Sequence, residues 1–98
     1  MGNIITVGLG EMKASRDASD ILVAYGLGSC VGISAYDPIA RVGALAHVML
    51  PSRTSNESKA RSAKYADEAI LLLAEALSEL GGIASRSWWK IAGGAQVL

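Results

Sequence analysis

The chain has 98 residues, with nine basic and nine acidic side chains that balance to no net charge, 51% hydrophobic residues and no Phe. It is long enough for one domain whose core Leu, Ile, Val and Ala must fill, and without a basic excess it does not suit a nucleic-acid or anionic-membrane partner. A single Cys makes no intrachain disulfide, the N-terminus shows no basic and apolar leader, and the longest apolar run, Ala69 to Ala74, is too short to insert in a bilayer, so a cytoplasmic location is expected.

Ile4 to Gly8 reads as a short strand, followed by a polar stretch from Glu11 to Asp20. Ile21 to Tyr25 is the second strand candidate. Gly26-Leu27-Gly28-Ser29 then breaks the pattern with a tight, accessible turn. Val31 to Tyr36 and Val42 to Leu50 read as two further strands. Asp37-Pro38-Ile39-Ala40 between them has the chemistry of a type I turn, so the two strands should form an antiparallel hairpin. Pro51 ends the second of them, and Ser52 to Ser58 is polar and loop-like.

A helix is expected from about Ala60 to Leu80, with Ala66, Ile70, Leu73, Leu77 and Leu80 as its apolar stripe. Asp67, Glu68, Glu75 and Glu79 lie off that stripe and should face water. Gly81-Gly82 stops the helix. Ser87 to Ala92 is the last strand candidate; Trp88 and Trp89 must point to opposite faces there, one of them into the core. Gly93-Gly94 breaks the chain again. The order of strands, one long helix and a strand makes an α/β layered sandwich with a largely antiparallel or mixed sheet.

The chain has one Cys and one His. Alone, each has a plain structural use: a free Cys acts as a small buried hydrophobe, and a His in an apolar strand as a hydrogen-bonded core residue. The hairpin adds geometry. With Asp37 to Ala40 as its loop, Tyr36 pairs with Arg41 and Cys30 lies directly across from His47, with Cβ atoms about 4.5–5.5 Å apart. A slip by two residues leaves the pair diagonal on one face, whereas a slip by one puts them on opposite faces. On one face, the imidazole can take the thiol proton and raise the thiolate fraction, with reacting atoms about 3–5 Å apart. The glycine turn lets a substrate approach the backbone, and the N–H groups near Ser29 and Cys30 can stabilise an oxyanion.

The motifs Gly26-Leu27-Gly28-Ser29-Cys30-Val31, Ala46-His47-Val48-Met49-Leu50-Pro51, Lys64-Tyr65-Ala66-Asp67 and Lys90-Ile91-Ala92-Gly93-Gly94-Ala95 resemble, in order and spacing, the signature of the CheD chemoreceptor glutamine deamidases. The resemblance implies a CheD-like cysteine hydrolase fold over residues 1–98, incomplete at its C-terminal side because the family runs past the second glycine pair. It implies a Cys30 nucleophile and a His47 base, with Gly28, Ser29, Gly93 and Gly94 near the oxyanion and the incoming substrate. The reaction is hydrolysis of a glutamine side chain to glutamate through a thioester. The substrate is the cytoplasmic region of a methyl-accepting chemotaxis receptor, and the regulatory partner is a CheC-type phosphatase. No metal or organic cofactor is implied.

One position departs from the family. Ala24 stands where the family has a third catalytic residue, a Thr whose hydroxyl orients the His, so a backbone carbonyl, another side chain or water must hold the His47 ring. The alternative function is a catalytically weak or inactive CheD-like module that binds a CheC-type partner. Self-association through an exposed C-terminal strand edge is also expected.

Overall fold

The computed structural model describes residues 2–53 and 60–95; the Ser52 to Ser58 loop lies largely outside them. A four-stranded antiparallel sheet runs in the order β2 (Met12–Ser15), β5 (Val42–Val48), β4 (Val31–Asp37) and β6 (Trp88–Gly93). A separate parallel pair joins β1 (Ile4–Thr6) to β3 (Ile21–Val23). The one α-helix among the described residues, α1 (Ala66–Glu79), packs on one face of the large sheet, and the parallel pair adjoins the other face at its β5 side. This α/β, mostly antiparallel architecture is the expected class.

Alternation along the hairpin sorts the two faces. Ile33 and Ala35 of β4, with Val42, Ala44, Ala46 and Val48 of β5, are buried toward the helix against Ala69, Leu73 and Leu77. The alanines on β5 let the helix approach the sheet closely. Gly32, Ser34 and Tyr36, opposite His47, Leu45 and Gly43, occupy the other face.

Four elements differ from the sequence expectation, each for a local reason. The polar stretch from residue 11 to 20 contains β2, an edge strand whose Met12 and Ala14 reach the core while Lys13 stays exposed. The hairpin loop is shifted by one residue. Asp37 is the last residue of β4, paired with Val42, because its Oδ1 accepts the N–H groups of Ile39 and Ala40. The Arg41 N–H then returns to the Asp37 carbonyl at 2.8 Å, with Arg41 in the left-handed region at φ 58°. The loop is therefore Pro38 to Arg41, and Tyr36 faces Gly43 rather than Arg41.

The helix starts at Ala66 because Tyr65 is extended and bridged to Leu50. The carbonyls of Leu50 and Pro51 accept the Ala66 and Asp67 N–H groups and cap that end. Its buried face holds Ala69 in place of Ile70, which is exposed. Glu68 is not solvated as expected: both its oxygens accept from Arg53, and Oε1 also accepts the Ser62 N–H. At the other end Gly81 takes φ 90°, with Gly82 N–H bonding the Leu77 carbonyl and Gly81 N–H that of Ser78, a paired C-terminal cap.

Finally, neither Trp is buried. Trp88 sits against Tyr36 with ring centroids 6.1 Å apart, and Trp89 donates its indole N–H to the Ala84 carbonyl. Both lie on β6, an edge strand that α1 does not cover.

Candidate active site

His47 is on β5, next to last in a strand whose alternate residues fill the core, so its own side chain points to the opposite face. It is nevertheless buried, with 5% of its surface exposed. The chain between β1 and β2 covers it. Gly10 N–H donates to the His47 carbonyl, His47 N–H donates to the Glu11 carbonyl, and the ring Nδ1 lies 3.2 Å from the Val7 carbonyl oxygen. A carbonyl can only accept, so Nδ1 carries a proton, and in the neutral ring Nε2 then holds the lone pair. Among the described residues Nε2 is buried with no hydrogen-bond partner. Leaving such a nitrogen unpaired costs about 1–3 kcal/mol of lost solvation.

The backbone groups of His47 are engaged on the β2 side, so its partner on β4, Gly32, forms a non-hydrogen-bonded pair, the closer of the two antiparallel pairings. Cys30 is half-buried on the bend two residues before Gly32. The observed register is thus two residues away from the direct Cys30–His47 pairing, with Gly32 opposite His47 and Cys30 ahead of the strand. No hydrogen bond joins the thiol to the imidazole among the described residues.

The turn ahead of β4 takes positive φ at Gly26 (65°) and Gly28 (33°). Ser29 and Cys30 donate no backbone hydrogen bond among the described residues, which leaves two N–H groups beside the thiol. The second glycine pair packs directly on this turn: Gly94 N–H donates to the Cys30 carbonyl at 2.8 Å and Ala95 N–H to the Gly28 carbonyl at 2.9 Å. A Cβ on Gly93 would lie 2.5 Å from the Cys30 carbonyl oxygen. Gly93 and Gly94 therefore lie against the Cys30 backbone, and the Gly94 N–H is already committed to holding the turn.

Ala24 lines a hollow of about 340 Å³ with Leu27, Gly32, Ser34, Leu45 and Lys90, on the face that carries His47. The ring is held instead by the Val7 carbonyl, which sequence reasoning did not single out. Its signal was present in Gly8-Leu9-Gly10-Glu11, a glycine-rich turn just ahead of the chain's second strand.

Comparison with known proteins bears on the same residues. The family model described as CheD chemotactic sensory transduction matches residues 49–98, half of the chain. The chain belongs to the CheD family. A protein of Archaeoglobus fulgidus named probable chemoreceptor glutamine deamidase CheD is 52% identical over 97 residues, 99% of this chain and 59% of that protein. Relatives with the same name in Desulfitobacterium hafniense and Symbiobacterium thermophilum are 46% and 45% identical, covering 99% and 94% of this chain and 59% and 56% of their own length. The chain thus spans somewhat under two thirds of these CheD relatives. The family-model match takes in Gly93 and Gly94, whereas Cys30 and His47 precede it and fall within the longer match to the relatives.

Proposed function

We propose that this CheD-family chain carries the chemistry of a protein-glutamine deamidase, with Cys30 as nucleophile and His47 as base and then acid. The observation that carries the reading is the His47 ring, held by the Val7 carbonyl, with a buried Nε2 that has no partner among the described residues. His47 Nε2 takes the thiol proton, and the Cys30 thiolate adds to the carbonyl carbon of a glutamine side chain. The N–H groups of Ser29 and Cys30 receive the oxyanion. The protonated Nε2 then gives its proton to the amide nitrogen, ammonia leaves, and a thioester remains. Water, deprotonated by the same nitrogen, attacks the thioester; glutamate is released and the thiol regains its proton. No metal or organic cofactor enters these steps.

The proposed substrate class is the glutamines of a chemoreceptor's cytoplasmic region; the relatives' name gives chemoreceptor glutamine. A CheC-type phosphatase is the proposed partner, and the cytoplasm the proposed location; no helix among the described residues is long and apolar enough to cross a membrane.

Incubation with a receptor cytoplasmic fragment followed by mass spectrometry tests the reaction. Amide-to-acid conversion by the native chain, absent with Cys30→Ala, is expected. Alkylation of Cys30 by iodoacetamide near neutral pH should also slow sharply in His47→Ala. A second reading, a catalytically weak or inactive module that binds the same partner, is favoured by Ala24 and by the missing thiol–imidazole hydrogen bond. Partner binding with no conversion, and equal alkylation rates in the two proteins, would select it.

A further inference from the structure

We infer that Glu11 is a positioning residue for His47, acting through the peptide that links Val7 to Gly8. This rests on the reading of Cys30 and His47 as a catalytic pair. The Val7 carbonyl and the Gly8 N–H belong to one planar trans peptide and point in opposite directions. His47 Nδ1 takes the carbonyl end at 3.2 Å, and Glu11 Oε1 takes the N–H end at 2.7 Å. The carboxylate therefore fixes the rotation of the plane that aims the carbonyl at the ring. An anionic acceptor on the N–H also polarises the amide and makes its carbonyl a stronger acceptor, which favours the tautomer with the proton on Nδ1.

The surroundings are built for this grip. Glu11 N–H donates to the Gly8 carbonyl at 2.9 Å, closing the turn on itself, and the Glu11 carbonyl accepts the His47 N–H at 3.0 Å. A Cβ on Gly8 would meet Glu11 Oε1 at 2.8 Å, so a side chain there would push the carboxylate off the Gly8 N–H. Lys13 Nζ lies 3.9 Å from that carboxylate and donates instead to the Thr6 carbonyl at 2.9 Å, so it is a loose neighbour of Glu11 and no substitute for the hydrogen bond.

His47 is the only histidine, so its ring nitrogens give an unambiguous signal in ¹⁵N-detected NMR of the full chain. At about pH 8, where a free imidazole is neutral, the native chain should show the Nδ1–H tautomer alone. Glu11→Ala should produce a mixture of tautomers and slow Cys30 alkylation near neutral pH by about threefold or more. Glu11→Gln, which keeps the acceptor oxygen, should restore most of both signals, and Lys13→Ala should change neither.

An unchanged tautomer in folded Glu11→Ala overturns the inference, as does a Glu11→Gln variant that behaves like Glu11→Ala. A tautomer that shifts while alkylation stays constant overturns the link to Cys30. The tautomer is read without turnover. Loss of the catalytic reading would therefore appear separately, as a native chain with the Nδ1–H tautomer that converts no glutamine.

Discussion

The Asp37 carboxylate, fully buried, accepts from the N–H groups of Ile39, Ala40 and Ile83 and from the Arg86 guanidinium. Burial pushes its pKa up, but the hydrogen bonds from Ile83, Ala40, Arg86 and Ile39 outweigh that and hold it below the ordinary aspartate value. Glu68 is shifted the same way, chiefly by its hydrogen bond from Arg53. A carboxylate with a depressed folded-state value favours folding above its unfolded-state value, and that contribution disappears as pH falls through the folded-state value. The melting temperature should therefore hold from neutral pH to about pH 5 and fall below about pH 4. Asp37→Asn should lower it by several degrees at pH 7 and flatten the acid limb, as thermal melts across pH would show. A variant melting like the native chain at every pH would mean that the charge holds nothing together.

The second residue-scale expectation concerns Gly93. Ala there must adopt φ near 89° and place its Cβ 2.5 Å from the Cys30 carbonyl, whereas Ala at Gly26 meets only the strain of φ 65° with nothing within 4 Å. Gly26→Ala should cost about 1–2 kcal/mol. Gly93→Ala should cost more in denaturant unfolding and should also alter Cys30 alkylation.

At the scale of elements, α1 explains what apolar spacing can and cannot reveal. Residues 69–74 are all apolar, so two neighbouring stripes fit the sequence equally well. The sheet chooses between them: Ala69 is buried and Ile70 is 47% exposed. Leu73, common to both stripes, is fully buried. Leu73→Ala should cost about 2–5 kcal/mol and Ile70→Ala less than about 1 kcal/mol, read from chemical denaturation. Comparable costs would show that the helix buries the other stripe.

The same logic covers the strands. The hairpin and its four-residue loop were legible from Asp37-Pro38 and the flanking apolar runs. The register was not, because it depends on Asp37 being drawn out of the loop by Ile83 and Arg86, 46 and 49 residues away. The observed pairing sets Gly32 rather than Cys30 opposite His47, and Cys30 lies on the bend just ahead of β4. In β2 the alternation of Met12 and Ala14 with Lys13 and Ser15 was visible, but it is too short and polar to outweigh its neighbours.

At the scale of the molecule, part of the apolar surface left in water lies at β6 and the start of α1, where Ile91, Trp88 and Ile70 are exposed. Among the described residues β6 is paired only with β4, so its outer edge offers N–H and C=O groups without a strand partner there. Beside it a shallow apolar groove of about 430 Å³ is lined by Val31, Leu50, Pro51, Ile70 and Ile91. Ile91 projects from that edge strand with 73% of its surface exposed. An open strand edge next to contiguous apolar side chains is a template for strand addition. Residues 1–98 on their own should therefore self-associate, with a weight-average mass in sedimentation equilibrium that rises with concentration. Ile91→Lys places a charge on the strand without disturbing the core, so it should shift the chain toward monomer while changing stability by no more than about 0.5 kcal/mol. A native chain that stays monomeric at every concentration would show that the edge is too short or too twisted to pair. A variant as associated as the native chain would move the contact away from β6.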